Sequence, residues 1–290
     1  MFEKIPATEL IERRFSCRKY ATKPIADEKQ DKLTNFLNAL PQAPFGSRPR
    51  FGLVAAQEND SQTLRGLGTY GFIRNAAGFV VGTMTPAEYD LEDYGYLLEM
   101  ILLHATALDL GTCWLGGTFT KSRFAEIVQP AENETMPAIA AIGEFAQKDQ
   151  KRMGWTSRMA GSHKRLAWDV LFADTRFGEP LDRNDIGAYA QVLEMVRIAP
   201  SASNKQPWRI VKHGDFWRLY LQRTSGYRHD PIKRFLDIAD MQRLDMGIAM
   251  CHFELTAHEL GLAGAWVVED DLDKTPQPDT EYVVSWQARG

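Results

Sequence analysis

The chain has 290 residues, a formal net charge of −4 and 44% hydrophobic residues. A chain of this length buries a core that needs no disulfide support, and its composition is globular rather than disordered, collagen-like or coiled-coil. Lysines and arginines are scattered among acidic residues, which argues against nucleic acid as a partner.

Targeting and membrane signals are absent from the pattern. The opening MFEKIPATELIERRF lacks the apolar core of a signal peptide, and no run approaches the roughly 20 apolar residues that a bilayer crossing needs. Cys17, Cys113 and Cys251 lie far apart without a CxxC pair, which fits a reducing compartment and argues against a thiolate metal site. We therefore expect a cytoplasmic protein with no membrane partner.

The first predicted helix ends in ERRFSCRKY at 12–20, where basic side chains and a hydroxyl are concentrated. Arg14, Ser16 and Arg18 stand just where the helix gives way to extended chain. Guanidinium groups donate in parallel pairs to phosphate oxygens, and a hydroxyl adds a further donor. Basic residues are also common on the solvated surface near the C-terminal end of a helix, where they interact favourably with the helix dipole. The motif alone therefore fits either a phosphate-binding site or ordinary surface.

The rest of the first half predicts a helix over 27–40, a loop and strand over 43–54, and a long helix within 92–114. Apolar residues at helical spacing run along the long helix. A glycine after a helix supplies the left-handed residue that ends it. We therefore expect Gly111 to stop this helix and a short apolar strand to follow.

The same order returns in the second half. A helix is predicted over 185–198, a loop and strand over 199–211, and a long helix within 238–266. Gly261 is expected to stop the second long helix as Gly111 stops the first. The same order of helices and strands is therefore predicted in both halves of the chain.

Residue matches strengthen the repeat. APFGSRPRFGLV (43–54) aligns with APSASNKQPWRIV (199–211) when one residue is deleted, and Thr106-Ala107 pairs with Thr256-Ala257. Two copies of this size are typical of a duplicated subunit, although coincidence among helix-glycine-strand units is the alternative. A homodimer fused into one chain would pack about a pseudo-two-fold axis through its long helices and form two equivalent clefts.

The division between the halves is expected near residue 165. The segment that begins at 147 is charged and weakly periodic, and HKRL (163–166) is its most distinctive feature. We interpret 147–165 as a crossing connection that belongs to an N-terminal half, 1–165. The C-terminal half is then 166–290.

The loop APSASNKQPW (199–208) is polar between two prolines. Pro200 and Pro207 fix their own backbone angles and restrict their neighbours, so we expect an extended loop with its side chains pointing outward. Such a loop is either an ordinary connection or an edge that hydrogen-bonds a flat heterocycle.

Other chemistries find little support. GLGTYG (66–71) has the spacing of a dinucleotide-binding motif, but neither the preceding strand nor the following helix is in place, so we expect a bend. His252 and His258 are six apart on a helix and therefore face different ways, and His104 lies on an apolar stripe. No metal site is predicted, and the serines show no nucleophile elbow.

Four motifs in order resemble the nitroreductase superfamily. RRFSCRKY is similar to its Arg-Arg-Ser-x-Arg signature, APSASNKQPW to its Pro-Ser-x-x-Asn-x-Gln-Pro-Trp loop, LGTCWLGG (110–117) to its glycine-rich strand end, and HKRL to its late basic pair. The chain looks most like the branch that joins two nitroreductase-like halves. The resemblance implies an α+β, nitroreductase-like fold: two homologous α/β halves in a pseudo-dimer with long central helices.

The resemblance also implies bound FMN in a cleft formed by both halves. Arg14, Ser16 and Arg18 match positions that hold the ribityl phosphate and the pyrimidine side of the flavin. Leu115, Gly116 and Gly117 match the backbone beside flavin N5, where no side chain obstructs substrate. The remaining matches are Lys164 and Arg165 for the phosphate, and Pro200, Ser201, Asn204 and Gln206 for the loop from the other half.

Departures from the pattern all fall on one cleft. The first-half loop lacks the Asn and Gln and has Arg48 near the position of Gln206, while 172–185 offers no Arg-x-Ser-x-Arg. We therefore predict one FMN per chain. Ala202 replaces a residue that is often Ser in this loop, which affects one contact.

The implied activity is hydride transfer from NAD(P)H to flavin N5 and onward transfer to a nitroaromatic, quinone or similar small acceptor, with no obligatory catalytic acid or base. The alternative is a protein that stores, senses or consumes FMN without such turnover. The expected partner is a small-molecule electron acceptor. The chain is expected as a monomeric pseudo-dimer or a weak homo-oligomer.

Overall fold

The computed structural model describes residues 5–56, 64, 71, 73–117, 119–146, 165–225, 238–270 and 272–289. The predicted GLGTYG bend, apart from Gly71, and most of the crossing connection lie outside these residues. The elements of the first half are α1 (Ala7–Arg13), α2 (Asp27–Asn38), β1 (Arg50–Ala55), β2 (Gly78–Thr83), α3 (Asp90–Ala107), β3 (Gly111–Leu115), α4 (Lys121–Val128) and β4 (Ile139–Gly143).

The second half follows the same order. Its elements are α5 (Trp168–Leu171), β5 (Phe172–Asp174), a 3-10 turn (Arg183–Ile186), α6 (Tyr189–Arg197), a 3-10 turn (Ala202–Asn204), β6 (Trp208–His213), β7 (Phe216–Gln222), α7 (Met241–Glu259), β8 (Gly264–Val267) and β9 (Thr280–Ala288). The predicted helix-loop-strand-helix-strand order is therefore present in each half.

The two sheets have matching topology. The first has the strand order β1-β2-β4-β3, and the second has β5-β6-β7-β9-β8. Without β5, the two orders correspond strand for strand, and every neighbouring pair in them is antiparallel. The strand β5, which follows the crossing connection, adds to the second sheet in parallel with β6. The fold is α+β and is built from two repeated halves, as predicted.

The long helices α3 and α7 cross at two glycines. A Cβ on Gly95 would collide with the carbonyl oxygen of Leu244, and a Cβ on Gly247 would collide with that of Glu92. Gly247 follows Gly95 by 152 positions, and Leu244 follows Glu92 by the same 152. Each helix therefore makes the same contact on its partner, which is the signature of a two-fold interface within one chain.

The helix ends differ from the expectation in one respect. Gly261 adopts the left-handed conformation after α7, with φ of 72°, but after α3 this place is taken by Asp109, with φ of 56°. Gly111 instead begins β3. The prediction that Gly111 stops the helix was wrong. Equivalent residues of the two halves are 152 positions apart, so Gly261 corresponds to Asp109 and not to Gly111. The predicted pairing of Thr106-Ala107 with Thr256-Ala257 is therefore two residues out of register.

Gly111 has a packing reason to be glycine. A Cβ there would lie 3.0 Å from the side chains of Cys17 and Phe145, which crowd against the first residue of β3. Asp109 occupies the left-handed position because short polar side chains tolerate it. A local pattern of residues cannot distinguish these two reasons.

Burial is concentrated around the helix pair. Every residue of α3 from Asp90 to Thr106 is buried, and most of α7 is buried too. One hydrophobic cluster joins α1, α3, α6 and α7 to the second sheet, and another joins α2 and α3 to the first. Among the described helices, none has the length and apolar character to cross a bilayer. The two central helices thus connect two separate sheet layers.

Candidate functional site

The segment after α1 runs beside β3. Ser16 forms a parallel bridge with Thr112, and the Cys17 backbone N–H donates to the Thr112 carbonyl at 2.8 Å. Side chains then alternate: Cys17 is buried, while Ser16 and Arg18 are exposed on the other side. The extended geometry therefore places the two exposed donors on one edge, next to β3.

Cys113 on β3 lies beside this edge. Burial raises the pKa of the Cys113 thiol, and the charges of Arg18 and Arg14 and hydrogen bonds from Ser16 and Arg18 oppose that rise. All three residues singled out in the first motif are therefore close to one thiol. The structure brings the predicted Arg14, Ser16 and Arg18 together.

Arg14 differs from its two neighbours because it is buried, with 9% of its surface exposed. Its Nε lies 3.2 Å from Oε1 of Glu99, which is fully buried on α3. No hydrogen-bond partner meets its Nη1 among the described residues, and Nε lacks an aligned hydrogen bond. The contact with Glu99 is therefore an ion pair, and N–H groups of this buried guanidinium have no acceptor within the described part of the chain.

The Glu99 carboxylate contacts two further side chains besides Arg14. Its Oε1 also lies 3.0 Å from His252 Nε2, and its Oε2 accepts a hydrogen bond from Trp114 Nε1 at 2.7 Å. Burial alone would raise the pKa of Glu99, but the charge of Arg14 and the contacts with His252 and Trp114 bring it below the ordinary value. Sequence reasoning missed this role of Glu99; a carboxylate within an apolar helical stripe was the available signal.

The end of β3 meets the second half. Leu115 is buried, and Gly116 and Gly117 follow it as a bend. A Cβ on Gly116 would collide with the Met241 side chain at the start of α7, and one on Gly117 would lie 3.0 Å from Ile238 Cδ1. The two glycines therefore let the strand end approach α7 closely. Met241 and Ile238 were not identified from the sequence.

Arg165 connects the crossing connection to the loop 199–208. Its Nη1 donates to Asn204 Oδ1 at 2.5 Å and its Nη2 donates to the Ile198 carbonyl at 2.7 Å. Burial and the neighbouring charges of Arg14 and Arg197 lower the pKa of Arg165 to about 10. Arg165, at the end of the crossing connection, therefore lies near Arg14 while it is bonded to the second half. Lys164, predicted as its companion, lies outside the described residues.

The loop itself is not extended, contrary to prediction. It contains a 3-10 turn at Ala202–Asn204, and Ser203, Asn204 and Gln206 all adopt positive φ, between 49° and 55°. The Asn204 N–H donates to the Ser201 carbonyl at 3.0 Å, and the Gln206 N–H donates to the Ser201 hydroxyl at 2.9 Å. The two prolines restrict the ends of the loop but leave the residues between them free to turn.

Gln206, predicted as a flavin-binding residue, is bonded to neighbouring residues of the chain. Its side chain is 1% exposed. Its Oε1 accepts from the Leu166 N–H at 2.8 Å, and its Nε2 donates to the Asn204 carbonyl at 3.1 Å. In this structure Gln206 ties the loop to residues 165–166, while Pro200 and Ser201 are partly exposed and Asn204 is exposed.

Asp245 on α7 also supports the loop. Its Oδ1 accepts a hydrogen bond from the Ala202 N–H at 2.9 Å. Within the described part of the chain, no hydrogen-bond partner meets its buried Oδ2, and burial raises the pKa of this carboxyl well above its usual range. Sequence reasoning missed this anchor, because it depends on a contact 43 residues away.

We call this region site 1. It comprises Arg14, Ser16, Arg18, Gly116, Gly117, Arg165 and the loop 199–208. Applying the 152-residue offset defines the equivalent region, site 2, where Gly116 and Gly117 correspond to Val268 and Glu269. Arg48, on the loop of site 2, is exposed. The two regions share a scaffold but carry different side chains.

Comparison with solved structures defines the class of fold. The chain aligns with the crystal structure of a protein from Thermotoga maritima MSB8, described as "a putative nitroreductase", with a TM-score of 0.61 and 18% identity; the alignment covers 98% of this chain and 94% of that one. The fold is therefore that of the nitroreductases.

The family is shown by a family model described as "Putative TM nitroreductase", which matches residues 7–257. The chain belongs to this family, which places it among the oxidoreductases. A search of curated proteins found no match.

Two further solved structures align with about half of the chain. One is an FMN-dependent nitroreductase from Clostridium difficile R20291, with 22% identity, a TM-score of 0.41 and coverage of 48% of this chain and 87% of that one. The other, from Desulfovibrio desulfuricans, is described as "a putative nitroreductase in complex with FMN", with 22% identity, a TM-score of 0.41 and coverage of 57% and 97%.

Proposed function

We propose that the protein is an FMN-dependent oxidoreductase of nitroreductase type, with one FMN bound at site 1. The observation that carries the proposal is the proximity of the buried Arg14 guanidinium to that of the half-buried Arg165, which Asn204 and Ile198 of the second half hold in place. Family membership and the FMN named for related proteins give the proposal its cofactor.

The residues of site 1 fit a ligand that carries a phosphate. Arg165 is paired with neutral acceptors, and no carboxylate pairs with it in the described ranges. The Nε of Arg165 and the Nη1 of Arg14 are buried without hydrogen-bond partners among the described residues. Buried donors without acceptors are costly, and two neighbouring cations repel each other. A phosphate dianion would relieve both penalties.

The chain's own groups then have distinct roles in the proposal. Arg14 and Arg165 bind the phosphate, and the exposed Ser16 and Arg18 donate to other polar atoms of the ligand. Gly116 and Gly117 present backbone without side chains. Asn204 and the Ser201 region border the ligand from the second half.

Bound FMN would supply a hydride acceptor that takes electrons from NAD(P)H and gives them to a nitroaromatic, a quinone or a similar small molecule. The chain's part is to bind and orient the cofactor and to leave one side open for substrates. No side chain is required to move a proton for this exchange, which agrees with the exposed, donor-rich edge formed by Ser16 and Arg18.

One site per chain follows from the differences at site 2. Val268 and Glu269 replace the two glycines, and Glu269 is paired with Arg218 at 2.9 Å. A carboxylate at this position would repel an anionic ligand. We also propose that the halves divide as 1–165 and 166–290, because β5 joins the second sheet soon after Arg165.

The proposal is tested on the purified full chain. Titration with FMN is expected to saturate at about one equivalent, and anaerobic NADH or NADPH is expected to bleach the bound flavin. A panel of nitroaromatic and quinone oxidants should then restore its colour. Stoichiometric binding without bleaching by either donor would favour the storage or sensor alternative, and absence of binding would overturn both.

A further inference from the structure

The contact between Glu99 and His252 crosses the boundary between the halves. Glu99 lies on α3 and His252 on α7, both side chains are fully buried, and their facing atoms are 3.0 Å apart. The pseudo-two-fold relation maps these residues onto Cys251 and Met100, which are buried and carry no such pair. The buried Glu99–His252 contact therefore breaks the symmetry of the helix interface on the side that holds Arg14.

The hydrogen bonds of His252 define its orientation. Its Nδ1 lies 3.0 Å from the Met195 carbonyl oxygen, which only accepts, so Nδ1 donates. Its Nε2 lies 3.0 Å from Oε1 of the Glu99 carboxylate. His252 therefore connects Glu99 to the last turns of α6, the helix that leads into the loop 199–208.

Three parts of site 1 meet at the Glu99 carboxylate. Arg14 contacts one oxygen, Trp114 on β3 donates to the other, and His252 links it to α6. Trp114 stands two residues before Gly116. The Glu99 carboxylate thus contacts Arg14 directly, the strand that leads to Gly116 through Trp114, and the helix that leads to the loop 199–208 through His252.

We propose that Glu99 and His252 are positioning residues that hold Arg14 beside Arg165 in the geometry needed to grip the phosphate of the ligand. The inference rests on the proposed function, because it requires a phosphorylated ligand at site 1. Neither residue needs to touch the ligand: they act through Arg14, whose side chain is 5% exposed in contact with Glu99.

The sign of the effect separates positioning from simple electrostatics. A carboxylate close to a bound phosphate repels it, so removing the Glu99 charge alone would tighten the binding of FMN. If Glu99 holds Arg14 in place, the same removal weakens binding instead. Riboflavin lacks the phosphate and should not respond to the position of Arg14.

The experiment compares Glu99→Gln and Glu99→Asp with the wild-type full chain. Dissociation constants for FMN and riboflavin are measured by flavin fluorescence titration. We expect Glu99→Gln to weaken FMN binding at least tenfold and riboflavin binding less than twofold. Glu99→Asp, which keeps the charge, should recover part of the FMN affinity. Met100→Leu, at the position equivalent to His252, is the packing control and should leave both constants unchanged.

A second pair of variants covers the case in which Glu99→Gln does not fold. His252→Gln retains a polar side chain that can hydrogen-bond Glu99, whereas His252→Leu removes it. We expect His252→Leu to weaken FMN binding selectively and His252→Gln to weaken it less. Unchanged or tighter FMN binding, or equal loss for FMN and riboflavin, overturns the inference and leaves the proposed function standing. A wild-type chain that binds neither flavin overturns the proposed function as well.

Discussion

Sites 1 and 2 share an aspartate on the long helix that anchors the backbone of the adjacent loop, and they differ in the side chains around that loop. In the first half, Asp93 of α3 accepts hydrogen bonds from the Phe45 and Ser47 N–H groups at 2.9 and 2.8 Å. In the second half, Asp245, 152 positions later, accepts from the Ala202 N–H. Each long helix therefore anchors its own Ala-Pro loop with an equivalent carboxylate.

The side chains that would face a ligand have diverged. Site 1 has two glycines, Arg165 bound to Asn204, and the Glu99–His252 pair behind Arg14. Site 2 has Val268 and Glu269 in place of the glycines. The packing of a duplicated fold constrains both copies, because both halves need the same interface, whereas a binding site constrains only the copy that uses it.

The strongest test of the comparison is the helix crossing. Gly95→Val and Gly247→Val each place a side chain against backbone of the opposite helix, which cannot move aside cheaply. We expect each to cost about 3 kcal/mol or more in the free energy of unfolding. Denaturant unfolding measures this, with Gly52→Val as the control because nothing lies within 4 Å of a Cβ there. A large loss for only one of the pair would break the two-fold relation.

The next test concerns which site binds FMN. Arg165→Ala removes a charged donor at site 1, and Arg48→Ala removes an exposed arginine at site 2. Losing a charged contact to phosphate costs about 1.5–3 kcal/mol, so FMN affinity should fall roughly tenfold or more for Arg165→Ala. Arg48→Ala should leave the dissociation constant unchanged. The reverse result would assign FMN to site 2.

A third test uses the two loop anchors. Asp93→Asn turns an amide N–H₂ toward a backbone N–H, because both carboxylate oxygens of Asp93 accept from the loop. We expect a loss of about 1–3 kcal/mol. Asp245→Asn keeps an acceptor for the Ala202 N–H, and burial already raises the pKa of Asp245, so stability should hold or rise. Equal losses in thermal unfolding would contradict this difference.

The smallest effect is expected at the helix ends. Gly261→Ala places a Cβ at a left-handed residue and should cost about 1 kcal/mol. Asp109→Gly relaxes the equivalent position but removes the exposed contact with Arg13 at 2.5 Å, so the two changes should nearly cancel. Denaturation midpoints of both variants measure this. A loss at Asp109 as large as that at Gly261 would show that the ends are not equivalent.

Local patterns were enough to predict the repeat and the long helices, whereas most residues of site 1 were proposed from the resemblance to a family. Helical spacing, the Ala-Pro loops and the arginine motif each depend on residues that are close together in the sequence, so they can be recognised without the structure. The assignment of Gly111 as a helix stop failed because two residues close together, Asp109 and Gly111, fit the same local rule for different reasons.

Tertiary structure alone decided the positive φ angles of the loop 199–208, the role of Gln206 in holding that loop, and the buried link from Arg14 through Glu99 to His252. Each depends on partners far along the chain: Gln206 on residue 166, and Glu99 on a histidine 153 positions away. A buried polar group must find a partner, but its own sequence neighbourhood does not say which one folding will supply.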